Sequence, residues 1–291
     1  MSTFTVLRNA KTNQEYPKVW LNAGSAGILP ASYIANSVLP SWKSYLTNTI
    51  GITNSAGEVD NAKLDAMYKR LQDYMADHYG GVSPYWEEYV AWKDNEVKVT
   101  LRTSKDLNCI FNSAKDSQII VGDHKDRRFV AGIICCDTPW RTVGFLWDSF
   151  MEHSNLSFGP DLITRYHRLT KYVAIMMQIG FACKWESNVP RPADYEVQVL
   201  NKPLTNKSIE VVPHPNHPSM PAGHSIYGLA VKKFIESEFP GIGQSADIKD
   251  TLRACEEVGL ARSWVGIHWL EDFEAAKWLI DTHHAHAWSL L

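Results

Sequence analysis

Apolar and polar positions alternate regularly over some parts of this chain and lose their pattern in others. LDAMYKRLQDYMADHY, residues 64–79, repeats apolar side chains at helical spacing. Leu64, Met67, Leu71, Tyr74 and Met75 share one face and Gly80-Gly81 ends the pattern, so a helix is expected there. EVKVTLRT, 96–103, alternates like a strand, and RFVAGIICC, 128–136, reads as a buried strand or a helix. The segment before residue 60 mixes Pro, Gly, Asn and Ser with short apolar runs and yields no assignment.

From Asp161 onward the period is helical. A long helix is expected from Asp161 to about Ser187, with Ile163, Tyr166, Leu169, Val173, Met176 and Met177 facing inward. A second runs from Ser225 to Phe239, closed by Pro240-Gly241, and a third from Ile248 to Val258 with Asp247 as its cap. A last helix starts near Gly266 and runs to the C-terminus. The fold expected is all-α: a helical bundle over 161–291, of the kind whose facing helices carry a polar site in the core. Residues 1–160 form a segment packing on that core, or the whole chain is one domain.

Composition excludes several partners. A formal net charge of -3 without any basic run gives no surface for nucleic acid. The longest apolar stretch, Tyr172 to Cys183, is too short to span a bilayer and is broken by Gln178. MSTFTVLRNAKTNQEY lacks the apolar run of a secretory signal, so a soluble, cytoplasmic protein away from membranes is expected. Five cysteines without repeated spacing suggest neither a disulfide framework nor a zinc ribbon. Oligomeric state is left open.

Three separated segments carry residues that a plain apolar core does not need. KWESNVPRP places Lys184 at a helix end and Arg191 between two prolines; PAGH covers 221–224; ARSWVGIHWLED holds Arg262, His268 and Asp272. Two arginines offer planar donor forks to a tetrahedral oxyanion, and lysine adds a point charge. The Pro221-Ala222-Gly223 turn opens a helix whose free N–H groups favour an anion, and Gly223 lets the backbone come close. Asp272 follows His268 by four residues, one turn of the expected helix, so its carboxylate can hold one imidazole nitrogen and aim the other at the anion. His224, on another helix, is left as the acid–base partner. Taken singly, each piece has an ordinary explanation as a solvated cation, a packed histidine or a helix start.

In order and spacing, Lys184…Arg191-Pro192, Pro221-Ala222-Gly223-His224 and Arg262…His268…Asp272 resemble the signature shared by vanadium-dependent haloperoxidases and the type 2 phosphatidic acid phosphatase superfamily. The likeness spans 184–272 and does not extend to the N-terminal half. It implies a helical bundle with an oxyanion in its core, held by Lys184, Arg191, Arg262 and the Gly223 amide. For a haloperoxidase it implies vanadate as cofactor, with His268 as the vanadium ligand. His224 then assists hydrogen peroxide binding and halide oxidation, and the halogen passes to a small organic acceptor. For a soluble acid phosphatase it implies His268 as the phosphorylated nucleophile and His224 as the acid for the leaving group.

HPSMPAGHS, from His217, is similar to the segment of bromide-using haloperoxidases that carry a histidine seven residues before the acid–base histidine, which makes His217 a halide or entrance residue. The haloperoxidase, with bromide favoured, is therefore expected ahead of the phosphohydrolase, and a binding protein without turnover comes last. Two departures oppose this order: Ala222 stands where the family usually has a serine hydroxyl, and the chain is short for a haloperoxidase. His214 belongs to the mouth of the site or only to its loop. Trp185, Trp264 and Trp269 read as packing around the cage. His283, His284 and His286 read as a polar helix end, since Asp281 is the one further donor spaced to join them in a metal site.

Overall fold

The computed structural model describes residues 7–16, 28–77, 139–154, 156, 159–204 and 214–291. These are mostly helical. A helical stretch over 31–50 (α1) alternates α and π turns; α2 is Asn61–Asp77, α3 Pro139–His153, α4 Pro160–Ser187 and α5 Pro192–Gln198. Then follow α6, Gly223–Glu238, a 3-10 turn at Ile242–Gln244, α7, Ala246–Trp264, and α8, Leu270–Ser289. The strand expected at 96–103, the segment 128–136 and the Gly80-Gly81 stop lie outside the described residues. None of the described helices is long and apolar enough to cross a membrane.

The centre of the packing is α6, which touches α3, α4, α7 and α8. Its buried residues include Ile226, Leu229, Ala230, Val231, Phe234 and Ile235, so apolar side chains leave it in several directions. It meets α7 closely because both carry glycine at the crossing. A Cβ on Gly228 would lie 2.0 Å from the Cys255 carbonyl oxygen, and one on Gly259 would lie 2.6 Å from Ser225 Oγ and 2.8 Å from Phe273. Side chains at either position would push the helices apart. The contact brings the last turn of α7, with Arg262, to the same side as the first turn of α6.

The structure corrects several expected boundaries. Ile163 is 54% exposed, and its neighbour Leu162 is buried instead. From the Pro160 start, the inward stripe runs through Leu162, Leu169, Val173 and Met176, and position 163 falls about 100° further round the helix. Helix α6 begins at Gly223, two residues early, which puts His224 in its first turn. Helix α7 continues past Val258 to Trp264, because Gly259 serves close packing and does not end the helix. Its N-cap is Ser245, so Asp247 falls inside the helix and is not the cap. Helix α8 starts at Leu270, because Gly266 sits at φ 67° in the turn before it. Helix α2 matches its expected face: Leu64, Met67, Leu71 and Met75 are buried.

Candidate functional site

His268 therefore precedes α8 and is not part of it. The expected contact with Asp272 forms by a different geometry. Trp269 is the N-cap of α8, and Asp272, three residues on, accepts its backbone N–H at 3.1 Å through Oδ2. The same oxygen receives His268 Nδ1–H at 2.6 Å and the Ser219 hydroxyl. Asp272 thus fixes the helix start and the imidazole together. Trp269 is fully buried and donates its indole N–H to the Pro190 carbonyl at 2.7 Å, tying α8 to the residue before Arg191.

Arg191 is fully buried and spends four of its N–H bonds on this neighbourhood. Nε donates to the His217 carbonyl at 3.2 Å, and Nη2 to His217 Nδ1 at 3.1 Å. Nη1 donates to the Ile267 carbonyl and to His268 Nε2, both at 3.2 Å. A guanidinium only donates, so His268 Nε2 is the acceptor, carries no proton, and leaves the proton on Nδ1 facing Asp272. Burial, then Arg191, Lys184 and Arg262, hold the His268 pKa well below the usual histidine range and keep the ring neutral. His217 is lowered in the same way, by burial and then by Arg191 and Lys184.

Lys184, in the last turn of α4, is buried and donates to the carbonyls of Pro218 at 3.1 Å and Ser219 at 2.6 Å. A lysine has three N–H donors, so one is left over. Burial and then Arg191 pull its pKa well below the usual lysine range, against the attraction of Asp272. Arg262 is also buried, 4% exposed, and its Nε and Nη1 have no hydrogen-bond partner among the described residues. Asp272 Oδ1 is likewise without one, and burial raises the Asp272 pKa against the bonds from Ser219 and the pull of Lys184.

Gly223 and His224 open α6, joined to this group by the Ala222 N–H, which donates to the Asp272 carbonyl at 3.1 Å. A Cβ on Gly223 would meet only Met177 Cε, at 3.7 Å, so nothing in the protein itself demands glycine there. His224 is half-buried, its ring edge-on to Tyr227 at 6.3 Å between centroids. His217 is half-buried, edge-on to Phe181.

The structure thus brings Lys184, Arg191, Arg262, His217, His268 and Asp272 into one electrostatically coupled group. It places Gly223 and His224 at the helix end attached to that group. Sequence reasoning missed Ser219, which stands within 3.2 Å of His268 Nδ1 and also binds Asp272. Its position inside HPSMPAGH was the available signal. It also missed Asp194, fully buried three residues after Arg191, which accepts the Arg191 N–H at 3.4 Å and His214 Nε2–H at 2.8 Å.

Three buried cations around one neutral imidazole repel a bare metal cation and attract an anion. An unpaired buried charge costs several kcal/mol, and two of the three Arg262 guanidinium nitrogens have no partner among the described residues. Lys184 keeps one N–H and Arg262 two nitrogens for an oxyanion's oxygens, while the His268 Nε2 lone pair accepts Arg191 Nη1–H. No family model, curated protein or solved structure matches this chain.

Proposed function

We propose that this chain holds vanadate in the cage around His268 and acts as a haloperoxidase, oxidising bromide with hydrogen peroxide and halogenating a small organic acceptor. The observation that carries the reading is the surplus of buried positive charge at Lys184, Arg191 and Arg262, with the Arg262 guanidinium short of partners. Lys184, Arg191, Arg262 and the Gly223 amide would hold the oxygens, and His268 Nε2 would bind the central atom. Vanadate, when bound, supplies a Lewis-acidic centre that activates peroxide toward halide without changing its own oxidation state.

The chain's own residues account for the rest. Asp272 and Ser219 keep the His268 proton on Nδ1 and leave Nε2 an acceptor; Arg191 Nη1–H, which fills it in the structure, would turn to an anion oxygen on binding. Burial of all three cations lowers the local dielectric and strengthens their hold on negative oxygen. His224, in the first turn of α6, takes a proton from the incoming hydrogen peroxide oxygen. His217, hydrogen-bonded to Arg191, stands where halide would approach.

A phosphohydrolase using the same cage is the second reading. A neutral His268, its lone pair set by a buried carboxylate, is equally an in-line nucleophile toward phosphorus, and Ala222 offers the oxyanion no hydroxyl. The deciding experiment is bromination of a dye acceptor by purified protein, dependent on bromide and peroxide, with and without orthovanadate. Bromination that requires orthovanadate is expected. Hydrolysis of a phosphate ester, inhibited by vanadate and without bromination, assigns the second reading.

A further inference from the structure

The turn over residues 7–16 lies far from the cage in sequence and grips residues that flank two of its three segments, Asp194 after Arg191 and the 214–216 stretch before Pro221. It closes on itself through Tyr16 N–H to the Leu7 carbonyl, 2.8 Å, and Asn9 N–H to the Gln14 carbonyl, 2.9 Å. From this turn the Ala10 N–H donates to Asp194 Oδ1 at 2.7 Å, and the Tyr16 hydroxyl donates to Asp194 Oδ2. Asp194 belongs to α5, which begins immediately after Arg191. Asn9, 1% exposed, donates from Nδ2 to the His214 carbonyl at 3.0 Å and to Asn216 Oδ1 at 2.6 Å. His214 Nε2–H returns to Asp194 Oδ1 at 2.8 Å, with both side chains fully enclosed.

We propose that the 7–16 turn is a clasp that locks the Arg191 segment to the 214–224 loop, with Tyr16, Asn9 and Asp194 as positioning residues for anion binding. The inference rests on the cage reading and gives the N-terminal turn a part in the site. Arg191 must meet His217 and His268 at once, and these come from two different loops. An error of an ångström between the loops would cost Arg191 one bond or the other. Asp194 is the common knot. It takes donors from the turn, from the Arg191 amide and from the His214 ring, and burial plus the Asp194 charge keep the Tyr16 phenol protonated as a donor. Asp194 also faces the Arg191 guanidinium electrostatically, supplying part of the negative charge that cation lacks.

The test is orthovanadate affinity, measured by calorimetry on full-length Tyr16→Phe and Asn9→Ala, with a thermal melt of each without vanadate. Tyr16→Phe loses one hydrogen bond to a charged group and Asn9→Ala four to the turn and the loop, which predicts a Kd raised about tenfold in the first and at least as much in the second, while the folded protein still melts cooperatively. The orthovanadate concentration for half-maximal bromination rises with it, more than kcat falls. Arg8→Ala, on the same turn but in an exposed ion pair with Glu15, leaves Kd unchanged. Folded Tyr16→Phe and Asn9→Ala proteins that bind orthovanadate as tightly as the parent overturn the clasp and leave the cage standing. A parent that binds orthovanadate without brominating removes the haloperoxidase reading and leaves the clasp measurable through Kd. A parent that binds no orthovanadate overturns the cage and the clasp together.

Discussion

Histidines gather at two places in this molecule, and what surrounds them differs completely. At the cage, His268 is held by a buried carboxylate and a serine on one side and by Arg191 on the other. Near the end of α8, His283 accepts or gives a bond to the Tyr33 hydroxyl at 3.1 Å, His286 stacks on the Tyr33 ring at 3.7 Å, and His284 bonds the Tyr172 hydroxyl at 2.8 Å. Both sets are buried or partly so. One sits among buried cations, and the other among aromatic rings, where His283 and His284 are held by hydroxyl groups and His286 by stacking. A buried imidazole acquires chemical meaning from its partners: a carboxylate fixes its proton and a surplus of charge defines what it faces.

The largest effect separating the two regions should come from charge. Arg262→Met keeps bulk and removes the under-partnered cation, and orthovanadate binding should weaken by roughly 2–5 kcal/mol, read by calorimetry. The same variant without vanadate should melt no lower than the parent, since no protein partner is lost at Nε or Nη1. A clear drop in its melting point would mean that Arg262 is a structural cation. His268→Ala should abolish retained vanadium, counted per chain by metal analysis, whereas His283→Gln should retain all of it.

A pair of glycines on α6 sharpens the contrast between site and scaffold. Gly228→Ala should destabilise the fold by about 1–3 kcal/mol in denaturant titration, because its Cβ would run into the Cys255 carbonyl. Gly223→Ala should leave stability within about 0.5 kcal/mol yet weaken orthovanadate binding, because only the anion needs that backbone bare. Equal effects of the two substitutions on stability would remove the argument for a Gly223 contact.

The aromatic end differs from the cage also in its pH dependence. Burial, with help from His286, brings the His283 pKa down to about 4 from an ordinary 6.5. Between these values the unfolded chain binds more protons than the folded one, so stability falls as pH drops from about 6.5 to about 4. Denaturant midpoints across that window should fall less steeply in His283→Gln.

Much of this was legible in the sequence, for identifiable reasons. Helical period placed α4 and the inward faces of α2 and α4 almost to the residue, and short spacing within each segment kept Arg191 near Pro190 and His268 near Asp272. The expected end at Val258 fell short of Trp264, and the helix runs on through Gly259, whose missing side chain makes room for Ser225 and Phe273. His268 was placed on a helix because a four-residue spacing does not distinguish one helical turn from an N-cap that reaches backward. Asp194 and Tyr16 were missed because their bond to each other joins residues distant in sequence, which no local pattern encodes; Ser219 stood inside HPSMPAGH, but its partner Asp272 is equally remote.

The central claim is that buried positive charge around His268 exists to hold an oxyanion. Calorimetric titration of the purified chain with orthovanadate tests it most directly. The account predicts one bound vanadate per chain, a raised melting temperature, and loss of both in His268→Ala. A parent chain that releases no heat and melts at the same temperature with or without orthovanadate would contradict it.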